Sequence, residues 1–274
     1  MADHRFETGT DDLIATKKDG VAILTMNRPQ RRNALSADML KALGSVLEAC
    51  ETDPDVGAVV LTGAGGAFCA GGDVKGMAER NVGGAPADID TRIHLQRLSQ
   101  RATAGRLYKM PKPTLAALPG AAAGAGLALT LACDLRIASE NAVMTTAFAR
   151  VGFSGDYGGT YFLTRLVGTA KAREMYFLSE RVDMTEALRL GLVNWVVPAD
   201  QLEKKTLEIA RRLAAGPRVA YRYMKENLNR AAAGEWDECL DLEATHHIHT
   251  GLTEDHREAA KAFVEKREPV FKGR

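Results

Sequence analysis

Residues 114–134, TLAALPGAAAGAGLALTLACD, pass from an apolar run through a proline and a cluster of glycines and alanines into small and apolar residues. A short apolar run bounded by turn formers predicts a strand, and the small residues beyond the turn predict a helix whose first amides face it. The same order occurs upstream, where VGAVVLTG at 56–63 leads into AGGAFCAGGD at 64–73. Further apolar runs at Val21–Met26, Leu135–Ala138, Val143–Thr146 and Trp195–Val197 predict more strands. Between them, Ser36 stands at an N-cap position, and Met39, Leu40, Leu43, Val46 and Leu47 recur at helical spacing up to Pro54. Continuously apolar strands alternating with helices imply an α/β fold with a parallel sheet covered on both faces.

The pattern changes after Pro198. From Ala199 to Arg274 it is helical throughout, broken at Gly216-Pro217, Gly234 and Gly251, so the chain divides into a strand-rich core, 1–198, and a helical region, 199–274. Residues 78–92, AERNVGGAPADIDTR, are polar and aperiodic, and predict a mobile loop over a site.

Composition excludes several classes. Lys and Arg total 36 against 35 Asp and Glu, a net charge of +1 that gives no general attraction to nucleic acid or to an acidic membrane. No apolar run reaches the ~20 residues of a spanning helix, and the first residues lack the blocks of a signal peptide, so a cytoplasmic location is expected. Cys50, Cys69, Cys133 and Cys239 are far apart, without a C-x-x-C pair, and are expected to pack as small hydrophobes rather than to form disulfides or hold zinc. His246, His247 and His249 share one helix without H-E-x-x-H spacing, and no metal is expected there.

The glycines do not spell a nucleotide site. Gly124-x-Gly126-x-x-Leu129 lacks the third glycine of a dinucleotide fingerprint, and no G-K-[ST] follows any glycine loop. Gly152-Phe-Ser154-Gly-Asp156 misses the nucleophile elbow G-x-S-x-G at its last position. Two loops of small residues ahead of helix starts nevertheless bring unpaired N–H groups within reach of a ligand. Facing one another, they would hold one oxygen between two amides, as an oxyanion hole does.

Six blocks in order extend this reading over nearly the whole chain: NRPQRRNALS, LTGAGGAFCAGGDVKGM, PGAAAGAGLALTLACDLRIAS, GGTYFLTRLVGTAKAREM, EALRLGLVNWVVP and AAKAFVEKREPVFKG. Together they resemble the enoyl-CoA hydratase/isomerase family, the crotonases. The resemblance implies a spiral of ββα turns followed by a helical trimerisation region, and self-association as a homotrimer or a dimer of trimers. It implies an acyl-CoA thioester substrate and no cofactor beyond the coenzyme A moiety of that substrate. Its oxyanion donors fall on the amides of Gly72 and Ala125. Its coenzyme A contacts fall on Arg31, Arg32, Ala34, Ala70, Asp73 and Val74, with Phe263 and Lys266 reaching across from a neighbouring subunit.

The chain departs from the hydratase pattern at the two water-activating glutamates, whose matching positions hold Ala128 and Phe148. An acid does occur at Asp156, two residues before Gly158-Gly159-Thr160, where it matches the working aspartate of epoxyphenylacetyl-CoA isomerases and of chlorobenzoyl-CoA dehalogenases. Neither Trp195 nor Trp236 falls where the dehalogenase tryptophan belongs. Local sequence alone favours Asp156 as a turn former; the match to the family's acid position and the loss of both glutamates favour catalysis. As a base it requires a raised pKa, which burial beside Phe148, Phe153 or Tyr157 would supply. The functional expectations are therefore an enoyl-CoA isomerase working through Asp156, an enoyl-CoA hydratase, or a non-catalytic acyl-CoA-binding protein. Met77, Met110, Met144, Phe148, Phe153, Tyr157 and Phe162 are candidates to line the acyl pocket.

Overall fold

A computed structural model of the chain describes residues 4–73, 76 and 88–274. In chain order the elements are β1 (His4–Arg5), β2 (Leu13–Lys18), β3 (Val21–Met26), α1 (Ala37–Thr52), β4 (Ala58–Gly63), α2 (Ile89–Gln100), α3 (Arg106–Lys109), β5 (Thr114–Leu118), β6 (Ala122–Ala123) and α4 (Ala125–Ala132). There follow β7 (Leu135–Ser139), β8 (Val143–Thr145), α5 (Gly159–Leu178), β9 (Val182–Asp183), α6 (Met184–Arg189), β10 (Trp195–Val197), α7 (Leu202–Ala214), α8 (Arg218–Ala231), α9 (Trp236–Gly251) and α10 (Glu254–Glu265).

Seven strands form one sheet in the order β1-β2-β3-β4-β5-β7-β10. β1 to β3 pair antiparallel and β3 to β10 parallel, the mark of successive crossovers. Alternate residues leave opposite faces. Leu24, Val59, Leu61 and Leu118 join the main core beneath α1 and α4, while Val21, Val60, Leu115 and Ile137 meet Leu202, Ala210 and Ala214 of α7 on the other face. The first helix after Pro198 is thus a cover for the sheet. Ser36 caps α1 as expected, its Oγ accepting the Met39 amide at 3.1 Å.

A second sheet, β6-β8-β9, is short but positions the site. Single parallel bridges from Leu35 to Gly72 and from Cys69 to Ala122 continue it across the loops after β3, β4 and β5. The two glycine loops are therefore stitched edge to edge by backbone pairing.

The helical region is anchored through a buried lysine. Lys225 of α8 donates to the Asp134 carboxylate at 2.8 Å and to the Leu107 carbonyl at 2.9 Å. The carboxylate also accepts the Thr114 amide and hydroxyl at 2.7 and 2.9 Å.

Two local expectations change. Residues 88–92 of the expected loop belong to the capped start of α2, with Asp88 accepting the Thr91 amide, while 78–87 lie outside the described residues. β2 also joins the sheet, although its last residues are lysines at the exposed end of the strand.

Candidate active site

The loop after β4 and the turn before α4 meet at van der Waals distance. Gly71 takes φ +92°, and a Cβ there would stand 2.9 Å from the Ala123 carbonyl oxygen and 3.5 Å from the Ala125 nitrogen. Only glycine permits that conformation with that approach. Gly126 allows a similar closeness, since its Cβ would lie 2.7 Å from that of Cys69. Ala125 opens α4, and neither its N–H nor that of Gly72 donates to a group among the described residues. Two free amides on adjoining loops have the form of an oxyanion hole.

Asp156 is presented by a contorted backbone. Gly155, Tyr157 and Gly158 all have positive φ, at +116°, +49° and +78°. For Tyr157 this is a strained conformation, and its surroundings hold it in place. Its amide donates to Gln100 Oε1 at 2.7 Å and its hydroxyl lies 3.1 Å from Ser99 Oγ, both from the end of α2 just before the π-helical turn Arg101–Gly105. π-Turns of this kind are frequent at functional sites.

The carboxyl so presented has no compensation. Asp156 Oδ1 is buried without a hydrogen-bond partner, and burial pushes the group up to about 6. Tyr157 is buried, as is Phe148, whose ring stacks on Tyr176 with centroids 5.8 Å apart. Phe153, expected as a third wall, is instead 55 % exposed, because the chain turns outward after the short helix Ala149–Val151. Cys69 is fully buried, its thiol pushed up to about 12 by burial, and it packs between the loops rather than offering a thiolate.

At the mouth, charge is paired. Arg28 donates to Asp73 Oδ2 at 3.0 Å and to the Ala34 carbonyl at 2.6 Å, tying the loop after β3 to the loop after β4. The Gly76 amide, with Arg28 beside it, holds the Asp73 carboxyl below the usual carboxylate range. Arg31 and Arg32 are exposed on the same turn, Ala34 is buried, and Ala70 is exposed. Five of the six expected contacts thus lie on these two adjoining loops, while the sixth, Val74, lies outside the described residues, as does Met77. Phe263, 86 % exposed on α10, and Lys266 at that helix's end have no hydrogen bond or ion pair with these loops. Met110 and Met144 are wholly buried in the core.

The family model for enoyl-CoA hydratase/isomerase matches residues 16–274. The chain belongs to this family. It is 36 % identical over 260 residues to the short-chain-enoyl-CoA hydratase of Clostridium acetobutylicum, covering 94 % of this chain and 96 % of that one. It is 34 % identical over 262 residues to the 1,2-epoxyphenylacetyl-CoA isomerase of Escherichia coli, covering 96 % and 98 %. The crystal structure of an enoyl-CoA hydratase from Bacillus anthracis superposes with a TM-score of 0.88 at 32 % identity, covering 96 % of this chain and all of that one.

As a crotonase, the chain is distinguished by what surrounds its free amides. Ala128 is buried and carries no acid, and Phe148 is packed against Tyr176. Arg28 and Tyr176 escape a reading of the sequence: Arg28 acts through a partner 45 residues away, and Tyr176 lies on a helix turn remote in sequence from the Asp156 loop. The histidines are separate as well. His246 is buried, with Nδ1 2.6 Å from Asn227 Oδ1, while His247 and His249 are exposed.

Proposed function

We propose that this crotonase is an enoyl-CoA isomerase that shifts a double bond by proton transfer through Asp156. The observation that carries the reading is the half-buried Asp156 carboxyl, raised to about 6, whose Oδ1 is buried without a partner among the described residues, in a site whose other two acid positions hold Ala128 and Phe148. An ordinary aspartate is too weak a base for this work near neutrality, whereas one near 6 remains ionised there and accepts protons more readily.

In the proposed reaction the thioester carbonyl oxygen lies between the amides of Gly72 and Ala125. The Cα–H bond breaks, the proton passes to Asp156, and the electron pair moves through a new carbon–carbon double bond onto the thioester oxygen. Asp156 then returns the proton at the γ carbon as the double bond moves to the α,β position. One acid serves both steps, and charge gathers only where two fixed donors meet it.

Arg28 and Asp73 brace the mouth, where Arg31, Arg32, Ala34 and Ala70 would meet the coenzyme A portion. The exposed apolar side chains Trp236 and Ile248 of α9, Leu252 just past its end, and Phe263 and Val264 of α10 support self-association, in which Phe263 and Lys266 would reach a neighbour's ligand. Among the described residues no helix is long and apolar enough to cross a membrane.

Mixing the protein with a β,γ-unsaturated acyl-CoA tests the reading, because conjugation raises ultraviolet absorbance. The expected result is equilibration of the two isomers, lost in Asp156→Asn. Substantial addition of water to a conjugated enoyl-CoA, retained in that variant, would overturn it.

A further inference from the structure

Tyr176 places a second uncompensated polar group beside Asp156. Its hydroxyl is inserted over two glycines: a Cβ on Gly159 would lie 2.7 Å from it and one on Gly155 3.4 Å, so neither position tolerates a side chain without moving the phenol. The same point on Gly159 would lie 3.3 Å from the Ala128 Cβ, which puts the hydroxyl over the position where a hydratase carries an acid. The ring is held by stacking on Phe148, nearly parallel at 10°. Phe148 Cε1 in turn would come within 3.7 Å of a Cβ on Gly124, next to the Ala125 donor. One continuous wall thus runs from the oxyanion turn through Phe148 to the Tyr176 hydroxyl.

That hydroxyl has no hydrogen-bond partner among the described residues. Burial and the nearby Asp156 charge push the phenol up to about 12, so it keeps its proton and acts as a donor. A half-buried phenol commonly turns its oxygen to solvent and stacks its ring inward. Here the ring stacks inward on Phe148 while the oxygen, still reached by solvent, lies over Gly155 and Gly159 near Asp156.

We propose that Tyr176 is a specificity-determining residue that donates its hydroxyl to an oxygen atom on the acyl chain, so that the site favours oxygen-bearing acyl-CoA thioesters over plain hydrocarbon ones. This rests on the reading of Asp156 as the base at the α carbon, and it adds the substrate class. A hydrocarbon acyl group laid against this wall takes water from the Tyr176 hydroxyl and offers no partner in return. An oxygenated one satisfies the phenol, and hydrogen bonds left unmade by one analogue and made by another are where discrimination is greatest.

Exchange of α-protons with deuterated water is measured by mass for butanoyl-CoA, 3-hydroxybutanoyl-CoA and 4-hydroxybutanoyl-CoA. At least one hydroxylated substrate is expected to exceed butanoyl-CoA by about 10–100-fold in kcat/KM for exchange. In Tyr176→Phe that ratio is expected to fall to near one, and being internal to each protein it does not depend on how much of the variant folds. Wild-type exchange with no preference for either hydroxylated substrate would overturn the inference about Tyr176 and leave Asp156 standing, as would a preference undiminished in Tyr176→Phe. Absence of exchange on all three would overturn the inference about Tyr176, and isomerisation of a β,γ-unsaturated acyl-CoA by the same protein then shows whether Asp156 stands as the base.

Discussion

Two half-buried carboxylates in this molecule stand under opposite terms. At the joint between core and helical region, Asp134 Oδ2 accepts from Lys225 at 2.8 Å and from the Thr114 amide and hydroxyl. In the chamber, Asp156 Oδ1 accepts from nothing. A buried carboxylate with a full set of donors holds structure together, whereas one without donors is costly and basic. On the proposed reading, the fold places reactivity at one acid and stability at the other. Exchanging their partners, or removing them, tests that division.

The largest expected effect is at the unpartnered acid. Asp156→Asn should lower α-proton exchange by about 10²–10⁴-fold, the usual contribution of a general base, while circular dichroism remains that of the wild type. Next comes the donor pair. Gly71→Ala forces a Cβ to 2.9 Å from the Ala123 carbonyl oxygen at a φ of +92°. It should displace one amide and cost roughly 10²–10³-fold in kcat, read by the same exchange assay.

At the partnered acid the outcome should appear in stability. Lys225→Ala strips Asp134 of its cation and is expected to cost roughly 2–4 kcal/mol in denaturant unfolding, because the lysine is buried but the carboxylate is partly exposed. The pH profile of the remaining activity should keep its midpoint.

The smallest effect sharpens the contrast. Asp156 has a folded-state pKa raised from 3.8 to about 6, so the folded state binds its proton more tightly than the unfolded chain. Its favourable contribution is complete below 3.8 and is lost as pH rises through about 6. Asp156→Asn should therefore be more stable than wild type at pH 8, by on the order of 1–3 kcal/mol, with the gain disappearing towards pH 3.

β3, β4 and β5 were legible because each apolar run is long and ends at a turn former, at Asn27, Gly63 and Pro119-Gly120. β1, β2, β6 and β9 were not: β1, β6 and β9 are two residues long and exist through pairing with a neighbour, and β2 ends in two lysines. The start of α2 was hidden because its buried side is supplied by few residues; none of Ile89–Gln100 is fully buried. In the candidate site, the glycine loops could be read from residue type, whereas Asp156 is singled out by its match to the family's acid position rather than by its local sequence. Their closeness could not, because the bridge from Cys69 to Ala122 joins residues 53 positions apart. Tyr176 illustrates the same limit: an aromatic residue near the end of an amphipathic helix gives no sign that its hydroxyl will lie over Gly155 and Gly159.

In the proposed reaction catalysis turns on the basicity of one acid, and the pH dependence of α-proton exchange reads it directly. Exchange on an acyl-CoA is predicted to rise with a single ionisation whose midpoint in kcat/KM lies at about 6, and the Asp156→Asn variant is predicted to lose that ionisation along with the rate. A midpoint near the ordinary 3.8, or the same profile at an undiminished rate in the asparagine variant, would show that the proton is moved by another group.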